Sequence, residues 1–145
     1  MTPLLVKVGV GAAAVAAGTG FALAGSSSPA VAYSSPPVFL DISIGSPAQL
    51  VARGAAVQVP VTTSCTTPDH TAYAYVSITE RVGGKKTANG TTSFEVSCIG
   101  SRQTNLITVS SDNGVAFAKG TAYAAADIYS YGGSEDASAT ITIQS

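Results

Sequence analysis

Around the two cysteines of this chain, apolar residues fall at every second position. Val57, Val59, Val61, Thr63 and Cys65 share one face, and Thr92, Phe94, Val96 and Cys98 share another. A period of two marks strands with one buried side. Each cysteine therefore closes a strand in phase with its apolar face. The same alternation recurs elsewhere. Val38, Leu40, Ile42 and Ile44 alternate with Phe39, Asp41 and Ser43, and Ala72, Ala74, Val76 and Ile78 alternate with Tyr73, Tyr75, Ser77 and Thr79. Asn105, Ile107 and Val109 mark a further strand, Thr121 to Tyr131 a long one, and Ala139, Ile141 and Ile143 the last. Ala48 to Ala52 is a weaker extended piece. Pro60 falls on the outward face of its strand and has no ladder donor, which implies an edge position or a bulge.

Turn signals separate these runs. They are Gly45-Ser46-Pro47, Arg53-Gly54, Thr66 to Thr71, Val82 to Lys86, Ile99 to Arg102, Asn113-Gly114, Lys119-Gly120 and Gly132 to Asp136. Asn89-Gly90 is the strongest hairpin signal and predicts the turn that delivers the strand ending at Cys98. No segment carries a sustained helical period. Seven antiparallel strands at regular spacing predict an all-β sandwich over residues 38–145, with 33–37 as a polar, proline-bearing lead.

Residues 1–32 read as a secretory signal peptide. Lys7 is the lone positive charge, Val8 to Leu23 is a charge-free apolar run, and GSSSP breaks it. Small-x-small sites follow at Ala22-Leu23-Ala24 and Ala30-Val31-Ala32. Cleavage after Ala32 is preferred because Pro29 precedes the site and a polar stretch follows; cleavage after Ala24 is the alternative. An uncleaved anchor is the other reading of the run, which is shorter than the ~20 residues a span needs. No stable membrane anchor is expected.

Composition narrows the picture. Charged residues make up 10% of the chain, there is no tryptophan, and much of the 46% apolar content is alanine and valine. The core should consist of small side chains. A net charge of −1 offers no basic patch for a phosphate backbone, so no nucleic-acid partner is expected. Two cysteines in an exported chain predict one disulfide, Cys65–Cys98.

Phe117 to Ala126 (FAKGTAYAAA), followed by Gly132-Gly133 and an alternating end strand, resembles the final hairpin of immunoglobulin-like domains. In layout the chain is similar to small uncharacterised secreted proteins of high-GC Gram-positive bacteria that carry one such sandwich. The resemblance implies a single immunoglobulin-like fold, with Tyr123 as the tyrosine that pins a strand corner. It departs from the antibody pattern in having no cysteine two residues after Tyr123 and no core tryptophan. Counted in order, Cys65 ends the second strand and Cys98 the fourth. In the immunoglobulin arrangement both lie beside the fifth, in one sheet, so the implied staple ties one sheet's rim and does not bridge the two sheets.

The same arrangement makes the third and sixth strands neighbours, which gathers the tyrosines. If the alanine faces point inward, Tyr73, Tyr75, Tyr129 and Tyr131, with Tyr123 and Asp127 alongside, form an outward patch suited to recognition. If the tyrosines fill the core, there is no patch, and the corner role of Tyr123 favours an inward ring. Other candidate chemistry is sparse. Asp69-His70 would be an acid–base pair without a nucleophile motif. Asp112-Asn113 and Glu135-Asp136 could ligate calcium, but turns use such residues anyway. Asn89-Gly90-Thr91 fits a glycosylation sequon, and Lys85-Lys86 is a solvated pair. No catalytic residue, cofactor or metal site is expected. The expected function is a non-catalytic secreted binding or envelope-associated module whose partner is an extracellular protein or envelope component. The alternative is an inhibitor of secreted proteases acting through the Thr66–Thr71 loop.

Overall fold

The computed structural model describes residues 28–32, 34 and 36–145. The export signal expected over 1–32 lies outside the described residues except for 28–32, which carry neither helix nor strand. Eight strands follow: β1 Phe39–Ile44, β2 Ala48–Val51, β3 Ala56–Thr66, β4 Thr71–Val82, β5 Lys86–Ser97, β6 Gln103–Ser110, β7 Gly120–Ser130 and β8 Gly133–Gln144. The fold is an all-β sandwich. One layer runs β8-β7-β4-β5, antiparallel throughout. In the other, β3 pairs with β6 on one side and with β1 and then β2 on the other.

The extra strand is β2, the weaker extended piece of the sequence. It pairs antiparallel with β3 and parallel with β8, joining the two layers into one continuous eight-stranded sheet. Its switch also explains Pro60. The edge position expected for this proline is corrected: β3 is central, between β6 and the β1–β2 pair. Register runs from Ile44 opposite Val61 in β1 to Gln49 opposite Gln58 in β2, so Pro60 faces the break between them. Its carbonyl still accepts the Gly45 N–H at 2.7 Å. In an antiparallel strand one residue's N–H and C=O point to the same neighbour, so the missing donor falls in that gap.

The orders β1-β3-β6 and β8-β7-β4 match the immunoglobulin arrangement, but β5 leaves the expected place beside β6 for the side of β4 on which variable-type domains add a strand. It stands beside β4 across a twelve-rung ladder, from Thr71 opposite Ser97 to Val82 opposite Lys86. The turn between them is Gly83-Gly84-Lys85, with φ of +59° and +74° at the glycines. Positive φ at consecutive turn residues matches the twist of a hairpin. The turn expected at Asn89-Gly90 is therefore corrected: the pair lies inside β5, opposite Thr79 and Ile78.

Gly90 is needed there for a different reason. A bridge joins it to Ser111, and any Cβ on it would collide with the Ser110 carbonyl oxygen. The atoms it would meet first are backbone, which cannot yield as the end of a flexible side chain would. Gly90→Ala is expected to lower stability by about 2–3 kcal/mol in a urea melt, the scale of overpacking in a filled interior. Gly83→Ala meets nothing within 4 Å and bears only its positive φ, so it should lose about 1 kcal/mol.

The core is made of small residues, as the composition implies. Ala72 and Ala74 on β4 and Ala122, Ala124 and Ala126 on β7 are buried. Opposite them lie Val57, Val59 and Val61 of β3, with Ile42 and Val109. Glu80 breaks the apolar pattern of β4. Its carboxylate is buried and accepts the Ala118 N–H at 2.9 Å, holding the β6–β7 connection against the layer.

Cys65 near the end of β3 and Cys98 just past β5 form a disulfide, with a Cα–Cα distance of 4.8 Å. Because β5 lies beside β4, the bond joins the two layers. The expectation of a staple along one sheet's rim is corrected for the same reason.

Candidate recognition face

The burial of Ala72, Ala74, Val76 and Ile78 turns the odd residues of β4 outward. On β7 the buried residues are Ala122, Ala124, Ala126 and Ile128, which turns Tyr123, Asp127 and Tyr129 to the same outer face. Register then fixes the rows across β5, β4 and β7. The first row is Glu95, Tyr73 and Tyr129, and the second is Ser93, Tyr75 and Asp127. The third is Thr91, Ser77 and Ala125, and the fourth is Asn89, Thr79 and Tyr123. Arg81 follows in a fifth, opposite Thr87.

Tyr73, Tyr75 and Tyr129 are 48%, 43% and 48% exposed, and the rings of Tyr73 and Tyr129 stack with centroids 6.0 Å apart. This is the expected outward cluster. Tyr131 is not part of it: β7 ends at Ser130, and the fully exposed Tyr131 lines a groove of about 400 Å³ at the end of the sandwich with Pro36, Val38 and Pro68. Tyr123 is 54% exposed on the outer face, with no hydrogen bond from its hydroxyl among the described residues. The corner role expected for it is corrected.

The acidic residues of this face come together only through register. Asp127 lies opposite Asp136 of β8, and Glu95 lies opposite Tyr73. Like charges directly opposite on adjacent strands are destabilising. Among the described residues the one ion pair is Arg102–Asp41, at 3.4 Å, so none of these three carboxylates is neutralised by a side-chain cation of the described residues. Arg81 donates from Nε to the Gly84 carbonyl at 3.1 Å, which leaves the rest of its guanidinium free of any protein partner among the described residues.

The outer edge of this layer is β5, and three of its carbonyls, toward its two ends, are occupied. Thr87 accepts from Asn113 Nδ2 at 2.7 Å, Asn89 from the Asp112 N–H at 2.8 Å, and Ser97 from Gln103 Nε2 at 2.7 Å. Such covering blunts an edge against strand addition. The same bonds account for Asp112 and Asn113 structurally. Asp112 also accepts the Thr91 hydroxyl, and Asn113 Oδ1 accepts the Val115 N–H.

The loop after Cys65 is a closed turn. The His70 N–H donates to the Thr67 carbonyl at 3.1 Å, and the Cys98 N–H donates to the His70 carbonyl at 2.8 Å. The buried Thr67 hydroxyl donates to the Thr71 carbonyl, and the Thr71 hydroxyl to that of Asp69. Hydrogen bonding from the Thr67 side chain holds the exposed Asp69 carboxyl below its ordinary pKa. Pro68, Asp69 and His70 form the exposed crest. No cluster of three or more His, Cys, Asp or Glu among the described residues could hold a metal ion, and no described helix is long and apolar enough to cross a membrane. Compared with known proteins, the chain matches no family model and no curated sequence.

Proposed function

We propose that this protein is a non-catalytic exported recognition module, secreted or held at the cell envelope. It binds an extracellular protein or envelope component through the outer face of the β8-β7-β4-β5 layer. The observation that carries this reading is the cluster of Tyr73, Tyr75 and Tyr129 on that face. Tyrosine offers rigid contact area and a hydrogen-bonding tip at small entropic loss, which suits recognition. The disulfide supports an oxidising compartment.

Affinity capture from the producing cell's supernatant and wall fraction tests the proposal. Wild-type bait should retain a partner that Tyr73→Ala/Tyr75→Ala bait loses at least about tenfold, the scale of a tyrosine hot spot. Capture unchanged by this double substitution would remove the face from the reading. The hydrogen-bonded bracing of the Thr66–Thr71 loop favours a second reading, inhibition of secreted proteases through Pro68 and Asp69. It predicts that substitutions at these two residues abolish inhibition while the tyrosine variants retain it.

A further inference from the structure

The tyrosine face divides by charge along the strand direction. Glu95, Asp127 and Asp136 lie in its first two rows, beside Tyr73, Tyr75 and Tyr129. Arg81 lies in the fifth row, and Lys85 sits in the hairpin turn just beyond it. All five are exposed, and none is ion-paired within the described residues. Between the two ends the third row carries the small side chains Ser77 and Ala125, and the fourth carries the exposed ring of Tyr123.

We infer that the partner of this face is a second copy of the same chain, the two faces meeting antiparallel about a twofold axis. This deepens the reading of the face as a recognition surface and rests on it. A twofold interface applies one patch to itself, so a patch with opposite charges at its ends is self-complementary only when the copies run antiparallel. Parallel stacking would set acid on acid. Steric fit and charge select the same register. With the axis midway between the third and fourth rows, Tyr123 of each copy meets the Ser77–Ala125 row of the other. That placement also sets Arg81 against the Tyr75–Asp127 row, where a guanidinium finds both a carboxylate and an aromatic face. The covered carbonyls of β5 disfavour the competing route, pairing edge to edge.

The face sets the strength of the association. In this register the second to fifth rows overlap, and four rows on four strands measure about 27 Å by about 19 Å from the strand rise and spacing. Roughly 500 Å² on each copy puts the contact at the low end of specific interfaces, so the dimer should be reversible and form in the micromolar range. Charge pairing at its ends makes it salt-sensitive.

Sedimentation velocity of the oxidised protein across about 1–500 µM tests this inference, and thermal melts confirm that each variant is folded. A monomer–dimer equilibrium that weakens several-fold between low and high salt is expected. Arg81→Glu and Asp127→Arg should each weaken it about tenfold or more, and the double variant should recover to near wild type because the swap rebuilds both charge pairs. Equal association in all four proteins, or a double variant as weak as the two losses combined, overturns the proposal. Wild-type protein that stays monomeric throughout also overturns it. The recognition reading then survives if the tyrosine variants still lose capture, and falls with it if capture is unchanged.

Discussion

Val76→Asp is expected to leave the domain unfolded or nearly so at 25 °C, whereas Tyr75→Ala should change stability by about 1 kcal/mol or less. The two residues are adjacent on β4 but point to opposite sides. Val76 is fully buried, lying between Thr92 of β5 and Ala126 of β7 in register, against the valines of β3. Among the described residues, no cation is buried to meet a carboxylate there. An unpaired buried charge loses several kcal/mol of hydration, a large share of the ~5–15 kcal/mol that holds a small domain together. Tyr75 loses only cross-strand contact with Ser93 and Asp127 on a hydrated face. Guanidinium melts at low micromolar concentration separate the two. A loss of ~3–5 kcal/mol for Tyr75→Ala, as for a core aromatic, with a mild effect of Val76→Asp would mean that β4 is inverted.

That orientation was legible in the sequence only as a choice between two. Alternation places Ala74 and Val76 on one side of β4 and the tyrosines on the other, but both sets are apolar enough to bury. The structure resolves the choice through the neighbours. β7 presents three alanines in a row beside β4, and the facing β3 presents valines, so small side chains fill the space between the layers. Tyr123 follows from this choice, because a ring in phase with Tyr129 cannot also turn inward to a corner.

The errors share a physical cause: they concern partners distant in sequence. Asn89-Gly90 carries a strong local turn signal, yet Gly90 answers to the Ser110 carbonyl pressed against it, twenty residues away. Once Gly83-Gly84 closes the hairpin, a twelve-rung ladder forms and carries Asn89-Gly90 into its middle. That ladder holds β5 on β4, where variable-type immunoglobulin domains add a strand, and keeps it from the constant-type place beside β6. β2 gains two rungs of parallel pairing with β8, a contact too short to leave any period in the chain. The opposition of Asp127 to Asp136 likewise depends on where the β7–β8 register falls. The tyrosines could be found by alternation along one strand; the charges around them could not.

Replacing both cysteines by alanine is expected to cost about 4 kcal/mol, because the bond closes a loop with a sequence separation of 33 in the unfolded chain. For a domain of this length that corresponds to a fall in Tm of roughly 15 °C. The fold itself should persist. The Cys98 N–H still has the His70 carbonyl, and the Gly100 N–H still has that of Cys65 at 3.1 Å, so the chain leaving β5 remains tied to both flanks of the Thr66–Thr71 loop. Those two hydrogen bonds contribute about 1 kcal/mol each, well short of the bond they accompany. The position of the bond sharpens the expectation. It links the end of β3 in one layer to the end of β5 in the other, so it limits how far the unfolded layers can separate. The variant's unfolded state should therefore be more expanded, and its urea m-value should rise as its midpoint falls. Native protein should carry no alkylatable thiol. An unchanged Tm on removal of both cysteines would mean that the layers are held at this end by packing alone.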